Sequence, residues 1–137
     1  MRIAMVGTGY VGLVSGACIA DFGHTVTCVD KDSIKISALN KGEIPIYEPG
    51  LAEIVQSNVR QGRLSFTTEL SETVGEADAV FIAVGTPSRR GDGHADLSYV
   101  YAATREIALA LKRLRLSLQN RQFRSEPVMK SSASFAS

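Results

Sequence analysis

Hydrophobic and polar positions follow three successive patterns at the start of the chain. Arg2–Val6 is a short apolar run, which is typical of a buried strand. Residues 13–20 have the apolar density of a helix that packs on a sheet. Thr25–Val29 alternates between apolar and polar residues, as a second strand does. The pattern therefore predicts a strand, a helix and a second strand, with a glycine-rich turn after the first strand.

Strand and helix patterns continue to alternate up to about residue 112. Two further strands are predicted, over Leu64–Thr68 and Asp78–Val84. Before them the pattern predicts a helix capped by Asp32 or Ser33 and ending near Gly42, and a helix that starts at Pro49. A short helix over Glu69–Val74 is predicted between the two strands, and a helix capped by Asp96 and continuing through Leu111 follows them. The continuous apolar character of residues 79–84 is typical of a parallel strand that is buried on both faces. This order indicates an α/β fold, a Rossmann-like doubly wound parallel sheet in truncated form.

The turn after the first strand reads GTGYVG over residues 7–12, and the second strand ends at Asp30, about 20 residues further on. Strand, glycine turn, helix, strand and terminal acid together form the dinucleotide-binding fingerprint. Gly7 permits the tight turn, Gly9 lets a pyrophosphate approach the backbone, and Gly12 lets the helix lie close to the strand. The helix N-terminus offers N–H donors to the phosphates. The candidate cofactor-binding residues of this turn are Gly7, Gly9, Tyr10, Val11 and Gly12.

Asp30 determines which dinucleotide the fingerprint predicts. Its carboxylate can accept both hydroxyls of an adenosine ribose but would repel a 2′-phosphate, so we predict NAD rather than NADP. The alternatives are a glycine-rich turn that binds nothing and the nucleotide site of a methyltransferase. Lys35, on the first turn of the next helix, lies either near the adenosine or in solvent. Thr86, in the loop after the 78–84 strand, could bind the cofactor or its own loop.

Composition changes near residue 113. Residues 1–112 contain 10 Lys and Arg against 13 Asp and Glu, whereas residues 113–137 contain 5 against 1, and no glycine follows Gly93. We therefore predict a domain over residues 1–112 and a disordered tail over residues 113–137. No apolar run approaches the ~18 residues of a membrane span. The two cysteines, Cys18 and Cys28, fit a reduced cytoplasmic protein. We expect neither a membrane, a nucleic acid nor a metal ion as a partner.

Several longer segments resemble one family. They are MRIAMVGTGYVGLVSGACIADFGHTVTCVDKD, PIYEPGL, AVGTP and RGDGHADLSYV, which together extend over residues 1–112. These segments resemble the UDP-glucose 6-dehydrogenases of the nucleotide-sugar dehydrogenase group. The resemblance implies NAD contacts from Val11, Asp30, Lys35 and Thr86. It also implies an oxidoreductase that oxidises the C6 alcohol of UDP-glucose twice, with two NAD, to UDP-glucuronate, through a cysteine nucleophile in the second step.

The family's chemistry lies outside this stretch. In such enzymes the catalytic cysteine, the UDP-sugar pocket and the central dimer helix lie beyond residue 137, and neither Cys18 nor Cys28 matches that cysteine. The resemblance thus implies a cofactor-binding fragment with no catalytic residue, inactive alone, whose full-length enzyme is a homodimer that uses UDP-glucose. The alternatives are a GDP-mannose or UDP-N-acetylmannosamine dehydrogenase and a non-catalytic NAD-binding module.

The tail departs from the family, whose members continue with a strand and a TKSTVPVGTGDE segment. Leu114–Leu118 replaces that strand with an alternating pattern. Codons for Asn120–Phe135 can be chosen so that a frame shifted by one base reads KSTVPVGTGDEIERIL, and Leu114–Gln119 likewise permits FAVVVT. We interpret the tail as the product of a one-base frameshift near residue 113, either a mutation or a sequencing error.

Overall fold

The computed structural model describes residues 1–88, 90–91, 93–122 and 134–136. Five strands lie in these ranges: β1 (Arg2–Val6), β2 (Thr25–Val29), β3 (Leu64–Thr67), β4 (Ala79–Ile82) and β5 (Ser134–Ala136). The helices in the same ranges are α1 (Tyr10–Asp21), α2 (Ser33–Asn40), α3 (Leu51–Arg60), α4 (Leu70–Glu76) and α5 (Ser98–Gln122). None of these helices combines the length and the apolar character needed to cross a membrane.

The strands form one parallel sheet in the order β3-β2-β1-β4-β5. The chain runs from β1 outward through β2 to β3, and then returns to the other side of β1 to form β4. In such sheets a ligand binds beyond the carboxyl ends of the strands, at the point where the strand order reverses. The predicted Rossmann-like α/β fold is confirmed, and its crevice is expected between β1 and β4.

Both faces of the sheet are buried because successive residues of β1 point to opposite faces. Ile3 and Met5 belong to one apolar cluster with residues of α1, α2 and α3. Ala4 and Val6 belong to a second cluster with residues of α4 and α5. This two-sided burial explains why β1 is an uninterrupted apolar run in the sequence.

The predicted order of elements over residues 1–112 is confirmed, but several predicted element ends are displaced, and the backbone explains two of the displacements. β4 ends at Ile82 rather than Val84, because β1 ends at Val6. The Ala83 N–H still donates to the Val6 carbonyl at 2.7 Å, and beyond it β1 has turned away. α3 begins at Leu51 rather than Pro49, because Gly50 at its N-cap has a left-handed backbone with φ of 84°.

The structure has no element end at residue 112. α5 continues through the alternating segment 114–118 to Gln122, and β5 pairs with β4, with Phe135 opposite Val80. Residues 123–133 and 137 of the predicted tail lie outside the described residues. The domain boundary at residue 112 and the out-of-frame tail therefore stay predictions.

Candidate functional site

A cleft of about 980 Å³ opens at the carboxyl ends of β1, β2 and β4. Its walls come from the glycine turn, from residues 30–35, from the loop after β4 and from α5. Seven of the eight predicted cofactor-binding residues line the cleft: Gly7, Gly9, Tyr10, Val11, Asp30, Lys35 and Thr86. The eighth, Gly12, is buried in the first turn of α1. The fold thus brings the predicted residues together at the switch point of the sheet.

The glycines of the turn have distinct surroundings. Gly7 has φ of 108°, and a Cβ there would lie 2.5 Å from the Ala83 carbonyl oxygen. A Cβ on Gly12 would lie 1.9 Å from the Gly7 carbonyl oxygen. At Gly9, by contrast, a Cβ would meet no atom within 4 Å. Gly7 and Gly12 therefore allow the turn, α1 and the loop after β4 to pack together, whereas Gly9 leaves open space at the cleft.

The N-terminus of α1 borders this open space. Gly9 is the N-cap of α1 and makes no side-chain capping hydrogen bond. The N–H groups in the first turn of a helix have no acceptor within the helix, and the helix dipole places partial positive charge there. Such an end binds phosphate groups. The open backbone at Gly9 and the start of α1 therefore fit a diphosphate.

The Asp30 carboxylate is held by donors on both of its oxygens. The Thr8 N–H and hydroxyl donate to Oδ2 at 3.0 and 2.7 Å, and the Asp32 N–H donates to Oδ1 at 3.0 Å. The Lys35 ammonium lies 3.8 Å from Oδ2. Partial burial raises the pKa of Asp30, but the Asp32 and Thr8 donors and the Lys35 charge outweigh it and hold this pKa below its ordinary value. Asp30 is thus a fixed anion at neutral pH.

Sequence reasoning missed Thr8, a residue that is only 1% exposed. β1 and β2 are neighbours with Val6 opposite Val29, so Thr8 and Asp30 follow paired strand ends and reach the same edge of the sheet. The signal was present in the sequence, because Thr8 is a hydroxyl residue between the first two glycines of the motif. The fingerprint leaves that position free, and the hydroxyl was therefore overlooked.

The start of α2 positions Lys35. Asp32 is the N-cap, and its Oδ1 accepts the N–H groups of Ile34 at 3.1 Å and Lys35 at 3.2 Å. The prediction of Asp32 or Ser33 as the cap is thus resolved in favour of Asp32. The cap fixes the first turn of α2, and the Lys35 side chain extends from that turn toward Asp30. The Asp32 carboxylate therefore orients Lys35, whose ammonium lies beside the Asp30 carboxylate.

Two further contacts, which the sequence did not reveal, connect the cleft to distant parts of the chain. The Lys31 ammonium forms an ion pair with the Glu106 carboxylate of α5. The Tyr10 hydroxyl donates to Glu48 Oε2 at 2.8 Å, and this hydrogen bond raises the pKa of Tyr10. The second contact ties the segment before α3 to the start of α1.

The Cys28 thiol is not activated for nucleophilic attack. Cys28 is fully buried, and burial raises its pKa to about 12. Cys18 is half-buried, and both cysteines are free. Within the described ranges, no group of His, Cys, Asp and Glu side chains is placed to hold a metal ion.

Residues 1–118 match the NAD-binding domain of the UDP-glucose/GDP-mannose dehydrogenase family. The chain belongs to this family. Its cofactor is NAD, as the acid at residue 30 predicted. The UDP-glucose 6-dehydrogenase of Rhizobium meliloti is 70% identical over 112 residues, which are 82% of this chain and 26% of that protein. The UDP-glucose 6-dehydrogenase YwqF of Bacillus subtilis is 48% identical over 113 residues, which are also 82% of this chain and 26% of that protein.

Solved structures agree with this family membership. A GDP-mannose dehydrogenase from Pseudomonas aeruginosa has a TM-score of 0.77 and 45% identity over 81% of this chain and 25% of its own. A UDP-glucose dehydrogenase from Pyrobaculum islandicum has a TM-score of 0.77 and 41% identity over 82% of this chain and 26% of its own. The chain thus spans about a quarter of the length of the relatives that it matches.

Proposed function

We propose that this chain is the NAD-binding part of a UDP-glucose 6-dehydrogenase. The observation that carries the proposal is the 70% identity to the Rhizobium meliloti enzyme over 112 residues, which are 82% of this chain. Bound NAD would accept the hydride in each of the two oxidations that convert the C6 alcohol of UDP-glucose to the carboxylate of UDP-glucuronate.

The residues of the cleft have separate roles in this proposal. Gly9 and the first turn of α1, at Tyr10 and Val11, hold the pyrophosphate, because they combine open backbone with N–H donors. Asp30 accepts the hydroxyls of the adenosine ribose. Lys35 lies beside Asp30 and positions the ribose end. Thr86, exposed in the loop after β4, faces the nicotinamide half of the cofactor.

We further propose that the 137-residue chain has no turnover by itself. The second oxidation in this family uses a cysteine nucleophile that neither Cys18 nor Cys28 matches, and the burial that raises the pKa of Cys28 to about 12 keeps that thiol protonated. The UDP-glucose site and the homodimer belong to the full-length enzyme in this proposal. The free cysteines accord with a reducing, cytoplasmic location, and no nucleic acid takes part.

The out-of-frame tail extends the proposal to the gene. A one-base frameshift near residue 113 would interrupt a full-length dehydrogenase, and it would account for the family segment that a shifted frame of Asn120–Phe135 can encode. A selected, free-standing NAD-binding module would have a tail with a pattern of its own. The module alternative is therefore not favoured.

The test is to resequence the locus with its downstream DNA, restore the frame and express the product. We expect formation of NADH with UDP-glucose, in preference to GDP-mannose and UDP-N-acetylmannosamine, and none from the 137-residue chain. The unrestored chain serves as the matched control. Preference for either of the other two sugars would overturn the choice of substrate. An open frame that ends naturally at residue 137, with no dehydrogenase sequence after it, would overturn the fragment proposal.

A further inference from the structure

The ion pair between Lys31 and Glu106 joins two walls of the cofactor cleft. Lys31 directly follows Asp30 at the end of β2, whereas Glu106 lies on α5, and both residues line the cleft. The pair is thus at the adenosine end, where the cofactor specificity is determined. The side chains are 73% and 39% exposed, and an exposed ion pair of this kind stabilises a fold little. Its position suggests a role in binding rather than in folding.

Two lysines lie beside Asp30, and their charges are disposed differently. Lys35 faces Asp30 itself, with its ammonium 3.8 Å from Oδ2. The Lys31 ammonium instead forms its ion pair with Glu106 on the opposite wall of the cleft. The acids of this end of the cleft are Asp30, Asp32 and Glu106. Loss of the Glu106 charge would leave Lys31 without its partner, one residue from the carboxylate that is expected to bind the ribose.

A basic residue beside the ribose is the feature that accommodates the 2′-phosphate of NADP in Rossmann folds. Lys31 has the charge and the location for that function. Asp30 repels a 2′-phosphate, but an unpaired ammonium next to it would offset part of this repulsion. The selectivity for NAD would then depend on a second acid that engages Lys31.

We propose that Glu106 is a specificity-determining residue, which favours NAD over NADP by binding Lys31 across the cleft. This inference rests on the proposed placement of the adenosine ribose at Asp30. Glu106 acts through Lys31, and its carboxylate also adds negative charge to the wall that a 2′-phosphate would face. The two effects have the same sign and are separable by substitution of Lys31.

The experiment titrates the full 137-residue chain with NAD and with NADP by calorimetry. Glu106→Gln keeps the shape and removes the charge. We expect it to lower the ratio of the NADP to the NAD dissociation constant by roughly three- to fivefold, the range of one exposed charge interaction. NAD affinity itself should change by less than about twofold, because the ribose ligand Asp30 is untouched.

Two controls separate the role of the pair from a general loss of charge. Glu53→Gln removes an exposed acid from α3, outside the residues that line the cleft, and should leave the ratio unchanged. The double variant Lys31→Met with Glu106→Gln lacks the freed ammonium, and most of the change in ratio should disappear. Raised salt should reduce the effect of Glu106→Gln, because exposed charges are screened.

Each outcome is decisive. A ratio that does not change in Glu106→Gln, or one that changes equally in Glu53→Gln, overturns the role of Glu106. A change that persists in full in the double variant shows that Lys31 is not the mediator. If the unsubstituted chain binds NAD while the ratio is unaffected, only this inference fails. If it binds no NAD at all, the proposed cofactor site fails and the inference fails with it.

Discussion

Gly9 and Gly12 lie three residues apart in the same turn, but alanine should have opposite effects at the two positions. A Cβ at Gly12 would be 1.9 Å from the Gly7 carbonyl oxygen and 2.9 Å from its carbonyl carbon. Backbone atoms cannot rotate aside as a flexible side chain can. Overpacking of a core typically costs 1–3 kcal/mol, so we expect Gly12→Ala to lower the free energy of unfolding by about 3 kcal/mol or more. That is a large part of the stability of an ordinary domain.

Gly9→Ala should leave the fold intact and impair the site. Gly9 has φ of −73°, which any residue adopts, and its Cβ would meet no atom within 4 Å. Its stability should stay equal or rise by about 0.4–1 kcal/mol. The added methyl group would occupy the open space proposed for the pyrophosphate. Displaced hydrogen bonds to a charged group are each worth about 1.5–3 kcal/mol, so NAD affinity should fall at least about tenfold.

The assay combines equilibrium unfolding in urea with calorimetric titration of NAD. Gly75→Ala in α4 is the matched control, because its Cβ also meets no atom within 4 Å and it lies outside the cleft. Gly75→Ala should leave NAD affinity unchanged, and its free energy of unfolding should stay equal or rise. NAD affinity unchanged in Gly9→Ala would refute the placement of the pyrophosphate. An unfolding midpoint unchanged in Gly12→Ala would refute the close packing of α1 on the turn.

Three further predictions concern buried or charged groups. Asn58→Ala should lower the free energy of unfolding by about 1–3 kcal/mol, because the fully buried amide donates to Asp21 and accepts from Arg63; equal stability in urea unfolding would contradict this. The lowered pKa of Asp30 stabilises the fold above the ordinary carboxylate pKa of about 3.9 and ceases to do so as pH falls through the folded value. Asp30→Asn should therefore lose stability at neutral pH and little in strong acid, and a pH-independent difference would argue against the role of the ionised form. The thiol of Cys28, with its pKa raised to about 12 by burial, should react with iodoacetamide only after unfolding, whereas rapid labelling of the native chain would show that it is accessible.

The fold could be predicted because local pattern and tertiary environment agree in most elements. β1 is apolar on both faces, and the structure buries both. The ends of β4 and α3 could not be read from periodicity. β4 stops where its neighbour β1 has turned away at Val6, and α3 is delayed by the left-handed backbone of Gly50. Both ends are thus determined by backbone features, which the apolar pattern does not report.

The site shows the same division between local and distant information. The predicted residues belong to the glycine motif or follow the carboxyl ends of strands, with Lys35 on the first turn of α2 after β2, and parallel strands bring these segments to one edge of the sheet. Thr8 lies inside the glycine motif, but its hydrogen bond to Asp30 follows only from the register of β1 with β2. Glu106 contacts Lys31 from a helix that is 75 positions away in the chain. No spacing rule predicts a contact of that kind, because it depends on how α5 packs on the sheet.

Asp30 is the residue on which the account chiefly depends, and the most direct measurement is a calorimetric titration of the unsubstituted chain and of Asp30→Ala with NAD and with NADP. We predict that the unsubstituted chain binds NAD more tightly than NADP. In Asp30→Ala, NAD binding should weaken by about 1–3 kcal/mol, because the carboxylate that accepts the ribose hydroxyls is lost. The preference for NAD over NADP should become smaller for the same reason. Equal or tighter binding of NADP by the unsubstituted chain, or an unchanged NAD affinity in Asp30→Ala, would contradict the account.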